Sequence, residues 1–246
     1  MRKIIITFLS LIIISINLNA NPDKKITNTE KQQAKIIIDT IIQNVNNDTI
    51  ILLVYRPINC KAQFITSRPD SNDTKIKLSV AAAFTAPNLK SIMGNYIIDG
   101  KVKAGKKLKS TGYAAIFDNK VIIKPSTEKI NSYKNLAIRK KGDLFQQMLL
   151  VKDSELVPCR IFGKKATYRR ALVIIDGTPC VIESGVRLSI DNFSRALIRM
   201  EIKNALCLDM GTWSKGWLRT ENNNYTPIGK LTSSTKDQTN WLIFTE

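Results

Sequence analysis

The sequence predicts a single α+β domain with a mixed, largely antiparallel sheet and a few packed helices. Three observations lead to this prediction. Short apolar runs separated by polar turns recur along the chain, as they do in β-hairpins. Helical periodicity is clear in only two segments. The chain has no internal repeat, no long low-complexity tract and no strong linker, which favours one domain.

The first helical pattern lies near the N-terminus. Thr29 and Gln32 are spaced as in a capping box. The apolar residues that follow at helical spacing are Ala34, Ile37, Ile38, Ile41 and Val45. Asn46-Asn47-Asp48 ends the pattern. We therefore expect an N-terminal helical segment over residues 21–48.

Strands and hairpins dominate the next part of the chain. Residues 50–55 predict a buried strand, and residues 80–84 predict a strand of small residues that leads into a polar turn at 85–88. Four hairpins are predicted where an Asp-containing turn separates two apolar runs. The hairpins span residues 96–102, 113–123, 148–157 and 171–183, with turns at 99–100, 118–120, 152–154 and 176–178.

The second helical pattern follows the last hairpin. Ser189 or Asp191 is placed to cap it. The apolar residues on one face are Phe193, Ala196, Leu197 and Met200. Lys203-Asn204 closes the helix, and residues 205–208 predict a strand that ends at Asp209.

Histidine is absent from the 246 residues. A Ser-His-Asp or Cys-His nucleophile, a His-ligated zinc and a histidine proton relay are therefore excluded. Any catalysis must use carboxylates, Lys, Arg, Tyr, Ser, Cys or backbone groups.

The N-terminus has the pattern of a secretory signal peptide over residues 1–20. Arg2 and Lys3 precede an uncharged, mostly apolar run at 4–16, and Leu18-Asn19-Ala20 resembles a cleavage site. The run is shorter than the roughly 20 residues of a membrane-spanning helix. We expect a secreted or periplasmic protein that begins near Asn21, with no stable membrane insertion after cleavage.

Export makes disulfides possible for the four cysteines, Cys60, Cys159, Cys180 and Cys207. Cys180 and Cys207 lie in apolar, strand-like runs. They can be small buried hydrophobic residues, and one bridge among the four is an equal alternative.

The formal net charge is +18, from 38 Lys and Arg against 20 Asp and Glu. The basic residues are scattered, and no motif interleaves them with aromatic residues. This pattern favours a solvated basic surface and no nucleic-acid partner. Attraction to anionic glycans, phosphates or lipids is a secondary possibility.

The order of segments along residues 50–219 carries the main functional indication. The chain contains, in order, Ser79-Val80-Ala81-Ala82-Ala83-Phe84-Thr85, Gly94-Asn95-Tyr96-Ile97-Ile98-Asp99-Gly100, Phe145-Gln146-Gln147-Met148-Leu149-Leu150-Val151, Tyr168-Arg169-Arg170-Ala171, the Asp176-Gly177 hairpin, a helix and Leu206-Cys207-Leu208-Asp209-Met210-Gly211. This order resembles the phosphodiester glycosidase family. That family has an Asn-Gly-Gly-Phe-like strand end, an Asp-Gly hairpin, a Gln-Ser-Gly-Pro segment, Arg-Thr-Ala before a second Asp-Gly hairpin, and Leu-Asp-Gly-Gly-Gly-Ser after a helix.

The resemblance implies a phosphodiester glycosidase-like domain at residues 49–246 that hydrolyses or binds a phosphate-linked or anionic glycan. The catalytic residues it implies are Asp209, Arg169 and Arg170. The substrate-binding residues it implies are Gln146, Gln147, Gly211, Ser214 and Trp213.

Two departures from the family pattern concern the site. Ala81 stands where the family has Asn, and the turn after Asp209 is bulkier than Asp-Gly-Gly-Gly-Ser. A catalytically inactive carbohydrate-binding or structural module of the same fold is therefore the alternative function. In that case Trp213 and Trp217 would stack on sugar rings.

Chemistry supports roles for several of these residues. An Arg can hold a phosphate or carboxylate through a bidentate fork, and strand alternation allows at most one of Arg169 and Arg170 to face the site. Asp209 can act as acid, base or stabiliser of an oxocarbenium-like centre, with Glu183 as a possible second carboxylate. Asp209 and Glu183 could also ligate a divalent cation, but the sequence identifies neither a metal site nor a cofactor.

Overall fold

Three antiparallel sheets form the body of the protein in the computed structural model. The structure describes residues 33–45, 48–109, 111–159, 165–210, 216–229 and 233–246. The first sheet has the order β1 (Lys35–Val45), β2 (Asp48–Ile58), β13 (Thr178–Ser184), β12 (Arg170–Ile175), β14 (Ala205–Cys207), β10 (Leu149–Lys152) and β11 (Glu155–Leu156).

The other two sheets have five strands each. The second sheet has the order β16 (Tyr225–Ile228), β15 (Gly216–Arg219), β4 (Ile76–Ala81), β17 (Trp241–Thr245) and β3 (Lys61–Ile65). The third has the order β6 (Lys101–Lys103), β5 (Tyr96–Ile98), β9 (Asp143–Gln147), β7 (Gly112–Phe117) and β8 (Lys120–Pro125). The helices among the described residues are α1 (Ile130–Arg139), α2 (Ile190–Arg199) and a short 3₁₀ turn at Ser233–Asp237.

The prediction of an α+β class is wrong, because the fold is largely β. Strands outnumber helices greatly in the described chain. The expected N-terminal helix is wrong where the structure describes the chain: Lys35–Val45 is a strand that pairs with all of β2, from Lys35 opposite Ile58 to Val45 opposite Asp48. Thr29 and Gln32 lie outside the described residues. Isoleucines at helical spacing also suit a strand, since their β-branched side chains favour extended backbone.

The four predicted hairpins are confirmed. Each turn has two central residues with positive φ, as type I′ turns require. These pairs are Asp99 and Gly100, Asp118 and Asn119, Asp153 and Ser154, and Asp176 and Gly177. Asp and Gly tolerate this backbone, so the local sequence fixes the turns and with them the registers of the strands.

The second helix is also confirmed. It begins after Ser189, whose hydroxyl accepts a hydrogen bond from the Asn192 N–H at 3.1 Å. Its apolar face, with Phe193, Ala196 and Leu197, is buried against the first sheet.

The core lies between the three sheets. The side chains that meet there include Phe64, Leu78, Val80, Ile116, Phe145, Leu172, Leu206 and Phe244. A second apolar layer joins the first sheet to α2, and a third joins the third sheet to α1. The first sheet is therefore apolar on both faces: in β2, Ile50, Leu52 and Val54 face α2 while Tyr55 faces the central core.

All four cysteines are free thiols in the structure. Burial raises the pKa of Cys180 to about 11 and that of Cys207 to about 12. Both side chains lie in buried strands, which makes them packing residues at neutral pH. Over the described residues, no helix has the length and hydropathy needed to cross a membrane.

Candidate active site

The strand ends of β4 and β14 meet at one edge of the central core. The Asp209 N–H donates to the Ala82 carbonyl at 2.8 Å, just beyond β4. On the other side, the Leu208 N–H donates to the Arg170 carbonyl at 2.9 Å and the Cys207 N–H to the Met148 carbonyl at 2.8 Å. These backbone bonds place Asp209 at a junction of β4, β12 and the start of β10.

The Asp209 carboxyl is buried at this junction. Its side chain points to the segment after β4, where the Thr85 N–H donates to Oδ2 at 3.0 Å. Burial raises the pKa of Asp209 to about 8, against the opposing effects of hydrogen bonds from the Thr85 and Met210 backbones and of the Arg170 charge. Burial therefore favours the protonated form of Asp209 near neutral pH.

Arg170 and Glu183 form a buried ion pair beside Asp209. The two residues are directly opposite each other in the β12–β13 pairing. Nη2 and Nε of Arg170 donate to Glu183 Oε2 at 2.7 Å and 3.2 Å. Arg170 has no exposed surface, and Glu183 has almost none. The Glu183 carboxylate is thus engaged by the guanidinium.

Arg169 points the other way, as strand alternation predicts. Its Nε donates to the Leu188 carbonyl at 3.0 Å and its Nη2 to the Lys165 carbonyl at 2.5 Å. Burial lowers the pKa of Arg169, and its charge acts on the Cys207 and Cys159 thiols. Of the two neighbouring arginines, Arg170 is the one whose charge acts on the Asp209 carboxyl.

The two candidate glutamines face different surroundings. Gln146 Oε1 accepts a hydrogen bond from the Asn95 N–H at 2.9 Å and so holds the turn before β5. Gln147 is fully buried at the end of β9, and its Oε1 accepts from the Met148 N–H at 2.8 Å. Gln147 therefore lies next to Met148, whose carbonyl accepts from the Cys207 N–H of β14. Gln146 instead contacts the turn before β5 in the third sheet.

The remaining predicted substrate-binding residues, Gly211, Trp213 and Ser214, lie outside the described residues. Trp217 is described and buried, 6% exposed, on the outer face of the second sheet. Ala81 is the last residue of β4 and pairs with Trp241. Within the described chain, no three Asp, Glu or Cys side chains are grouped as metal ligands.

Asn240 is a site residue that the sequence analysis missed. Its side chain is fully buried and extends the hydrogen bonding between β17 and the segment after β4. Oδ1 accepts from the Ala83 N–H at 2.7 Å, and Nδ2 donates to the Ala83 carbonyl at 3.0 Å. The neighbouring Thr239 hydroxyl lies 3.1 Å from that of Thr85. Asn240 and Thr239 thus hold the segment that donates to Asp209. The only sequence signal was a polar residue directly before a C-terminal apolar run.

The junction holds a carboxyl with a raised pKa, a cation whose charge is largely balanced by Glu183, and backbone amides that already donate to Asp209 and Ala82. A protonated carboxyl can donate its proton to an oxygen atom of a bound molecule. A buried carboxyl with a raised pKa at a strand end is typical of catalytic sites, although structural burial alone also raises a pKa.

The fold is similar to that of two solved structures. The catalytic domain of zebrafish N-acetylglucosamine-1-phosphodiester alpha-N-acetylglucosaminidase, auto-inhibited by its pro-peptide, matches with a TM-score of 0.60 and 13% identity, over 87% of this chain and 83% of that one. A hypothetical protein from Synechocystis matches with a TM-score of 0.59 and 10% identity, over 88% of this chain and 64% of that one. No protein-family model and no curated protein matches the sequence. These likenesses establish a shared fold.

Proposed function

We propose that the protein is an exported hydrolase of phosphate-linked or anionic glycans in which Asp209 donates a proton to the leaving group. The observation that carries this proposal is the burial of the Asp209 carboxyl at the strand junction, where it accepts from the Thr85 N–H beside Arg170 and where burial raises its pKa. The likeness to a glycosidase catalytic domain supports it. A fold hosts many functions, so the carboxyl weighs more than the fold.

The raised pKa suits a general acid that works on an anionic substrate. A glycosidase acid must keep its proton until the glycosidic bond breaks. A phosphate bound nearby would raise the pKa of Asp209 further, because a negative neighbour disfavours ionisation. The neutral carboxyl can therefore contact a phosphate oxygen without charge repulsion.

In the proposed reaction, Asp209 protonates the bridging oxygen as the bond to the anomeric carbon breaks. The hydroxyl of one water molecule adds to that carbon, and the proton of the same water restores the carboxyl. Glu183 is engaged by Arg170, so we assign it to holding the guanidinium and not to activating the water. Arg170, paired with Glu183, then acts on Asp209 as the positive end of the ion pair.

The test is release of sugar from an N-acetylglucosamine-1-phosphodiester by the purified protein. Asp209→Asn is expected to lower kcat by ~100-fold or more, since general acids contribute about that much. Asp143→Asn is the matched control: Asp143 is another buried carboxyl with a raised pKa, held by the Phe64 and Asp99 amides in the third sheet. Full activity in Asp209→Asn, or no turnover by the wild type across such substrates, would contradict the proposal.

The second candidate function is glycan binding without turnover. Two observations favour it: Ala81 offers no polar side chain at the end of β4, and, among the described residues at the junction, the ion pair leaves Asp209 as the carboxyl without a guanidinium partner. Retaining and inverting glycosidases generally use two. Calorimetric binding of the same phosphodiester without sugar release, weakened by Trp213→Ala, would establish this function instead.

Export is part of the proposal and has its own measurement. N-terminal sequencing of the protein recovered outside the cytoplasm is expected to begin near Asn21, after removal of the basic and apolar residues 1–20. Recovery of the chain only inside the cell with Arg2 and Lys3 intact would contradict export and leave the proposed chemistry to its separate test.

A further inference from the structure

Positive charge is concentrated in one part of the molecule, the third sheet with its helix. Residues 96–141, which hold β5 to β8 and α1, contain twelve Lys and Arg against three Asp and Glu, a net charge of +9. This is half of the formal net charge of +18, in less than a fifth of the chain. The charge is therefore concentrated in one continuous segment of the sequence, which forms β5 to β8 and α1.

The fold brings two turns and one helix end together at a corner of this region. The Gly100 N–H, in the β5–β6 turn, donates to the Gly142 carbonyl at 2.8 Å, just after α1. The Lys140 ammonium lies 3.1 Å from Asp118 in the β7–β8 turn. We call this surface the basic corner and define it by the exposed side chains of Lys101, Val102, Lys103, Ile138, Lys140 and Lys141.

The charge of this region is scarcely neutralised. Among the described residues, Lys140 is the one of the twelve cations that forms an ion pair within 4 Å. Two of the three acids are already engaged, Asp118 by Lys140 and Glu128 by Lys152. The region therefore presents a positive field to any partner that approaches it.

Two aliphatic side chains are exposed within the basic corner. Val102 is 62% exposed and Ile138 is 40% exposed. Val102 pairs with Ile97, whose side chain is buried beneath α1. Cross-strand partners point to the same side of a sheet, so Val102 lies on the α1 side together with Ile138. Lys101 and Lys103, opposite Ile98 and Tyr96, lie on the other side of β6, which is the edge strand of the sheet. Exposed aliphatic residues among lysines are typical of surfaces that bind lipid headgroups and dip into the interface.

We propose that the basic corner binds the surface of a membrane that contains anionic lipids. Charge complementarity provides the attraction, and Val102 and Ile138 provide apolar contact that a polysaccharide or a nucleic acid does not require. The corner lies at the start of β9, beside Gly142. The end of β9, at Gln147, leads to the Met148 carbonyl that supports β14. Since β9 spans roughly 13 Å, the strand separates the basic corner from the Asp209 junction.

Co-sedimentation with vesicles tests the proposal. A chain that begins at Asn21, and so lacks the apolar run at 4–16, is mixed with phosphatidylcholine vesicles with and without phosphatidylglycerol. Lys101→Glu, Lys103→Glu and Lys141→Glu combined are expected to weaken binding to the anionic vesicles by ~10-fold or more. The matched control reverses three exposed lysines elsewhere, at Lys61, Lys75 and Lys203, and is expected to weaken binding by less than about 3-fold.

The apolar contact is tested separately. Val102→Ser with Ile138→Ser is expected to weaken vesicle binding without changing its dependence on salt, and Leu89→Ser, at another exposed apolar residue, is expected to have no effect.

Three results would overturn the proposal. The first is equal binding to the two kinds of vesicle. The second is an equal loss in the two triple variants. The third is failure to bind vesicles together with charge-dependent binding to duplex DNA or an acidic polysaccharide. In that case the serine substitutions would leave the binding to the DNA or polysaccharide unchanged.

Discussion

The candidate active site and the basic corner use charged residues in opposite ways. At the Asp209 junction, the charged groups are buried, and Arg170 and Glu183 balance each other at 2.7 Å. At the basic corner, the lysines are exposed and mostly without acidic neighbours. A buried charge acts on its neighbours and on the stability of the fold, whereas an exposed one acts on what approaches from solution. Substitutions in the two regions should therefore change different measured quantities.

The largest effect on stability is expected from Arg170→Ala. Removal of the guanidinium leaves Glu183 buried without its partner, which costs about 3–5 kcal/mol of unfolding free energy. Urea denaturation measures the loss. Arg139→Ala removes an exposed arginine from α1 and is expected to cost less than about 0.5 kcal/mol. Similar losses of unfolding free energy in Arg170→Ala and Arg139→Ala would mean that a buried arginine with an ion-pair partner stabilises the fold no more than an exposed one.

Asn240→Ala is expected to have the next largest effect. It leaves the N–H and the carbonyl of Ala83 without the amide that joins them to β17, at a cost of about 2–3 kcal/mol. Asn72→Ala, at an exposed position, is the control, and the same denaturation experiment applies. An Asn240→Ala variant as stable as the wild type would show that Ala83 finds other partners.

The Arg170–Glu183 ion pair could have been predicted from the sequence. A two-residue turn at Asp176-Gly177 places Ile175 opposite Thr178, and counting back along both strands brings Arg170 opposite Glu183. Local turn chemistry therefore fixes this contact, although the sequence analysis considered the two residues separately. Asp209 was found because an apolar strand that ends in a carboxylate is visible locally.

Other features depend on contacts between distant parts of the chain. Asn240 meets Ala83 across 157 positions, and β17 pairs between β4 and β3 in the second sheet, so no local pattern indicates either. The helix α1 escaped prediction because Lys129, at its start, has a φ of 48° and provides no side-chain cap. The N-terminal isoleucines satisfy both helical and strand periodicity, and pairing with β2 decides between them.

A smaller effect on the unfolding free energy is expected from a change of pH, and it arises from Asp209 at the junction. The pKa of Asp209 is about 8 in the folded protein and near 3.9 in an unfolded chain. Between these values the folded state holds one more proton, so this group makes stability fall as pH rises, up to about pH 8. Between pH 6 and 7 the unfolding free energy is expected to fall by about 1 kcal/mol from this group.

Urea denaturation of the wild type and of Asp209→Asn at a series of pH values isolates this contribution. The variant is expected to lack the decline that Asp209 causes, and the difference between the two curves is expected to level off above about pH 8. Parallel curves would mean that the folded and unfolded carboxyls titrate alike, which would also remove the physical basis for Asp209 as an acid at neutral pH.

The smallest effect on stability is expected at the basic corner. The Lys101, Lys103 and Lys141 triple substitution by Glu changes no buried contact, so the unfolding free energy should change by less than about 1 kcal/mol. The change should be an increase, because the lysines repel one another within a region of net charge +9. Denaturation at low and high salt tests the cause, since screening at high salt should abolish the increase. A large loss of stability that is independent of salt would mean that these lysines pack into the fold, and the contrast between the two regions would then fail.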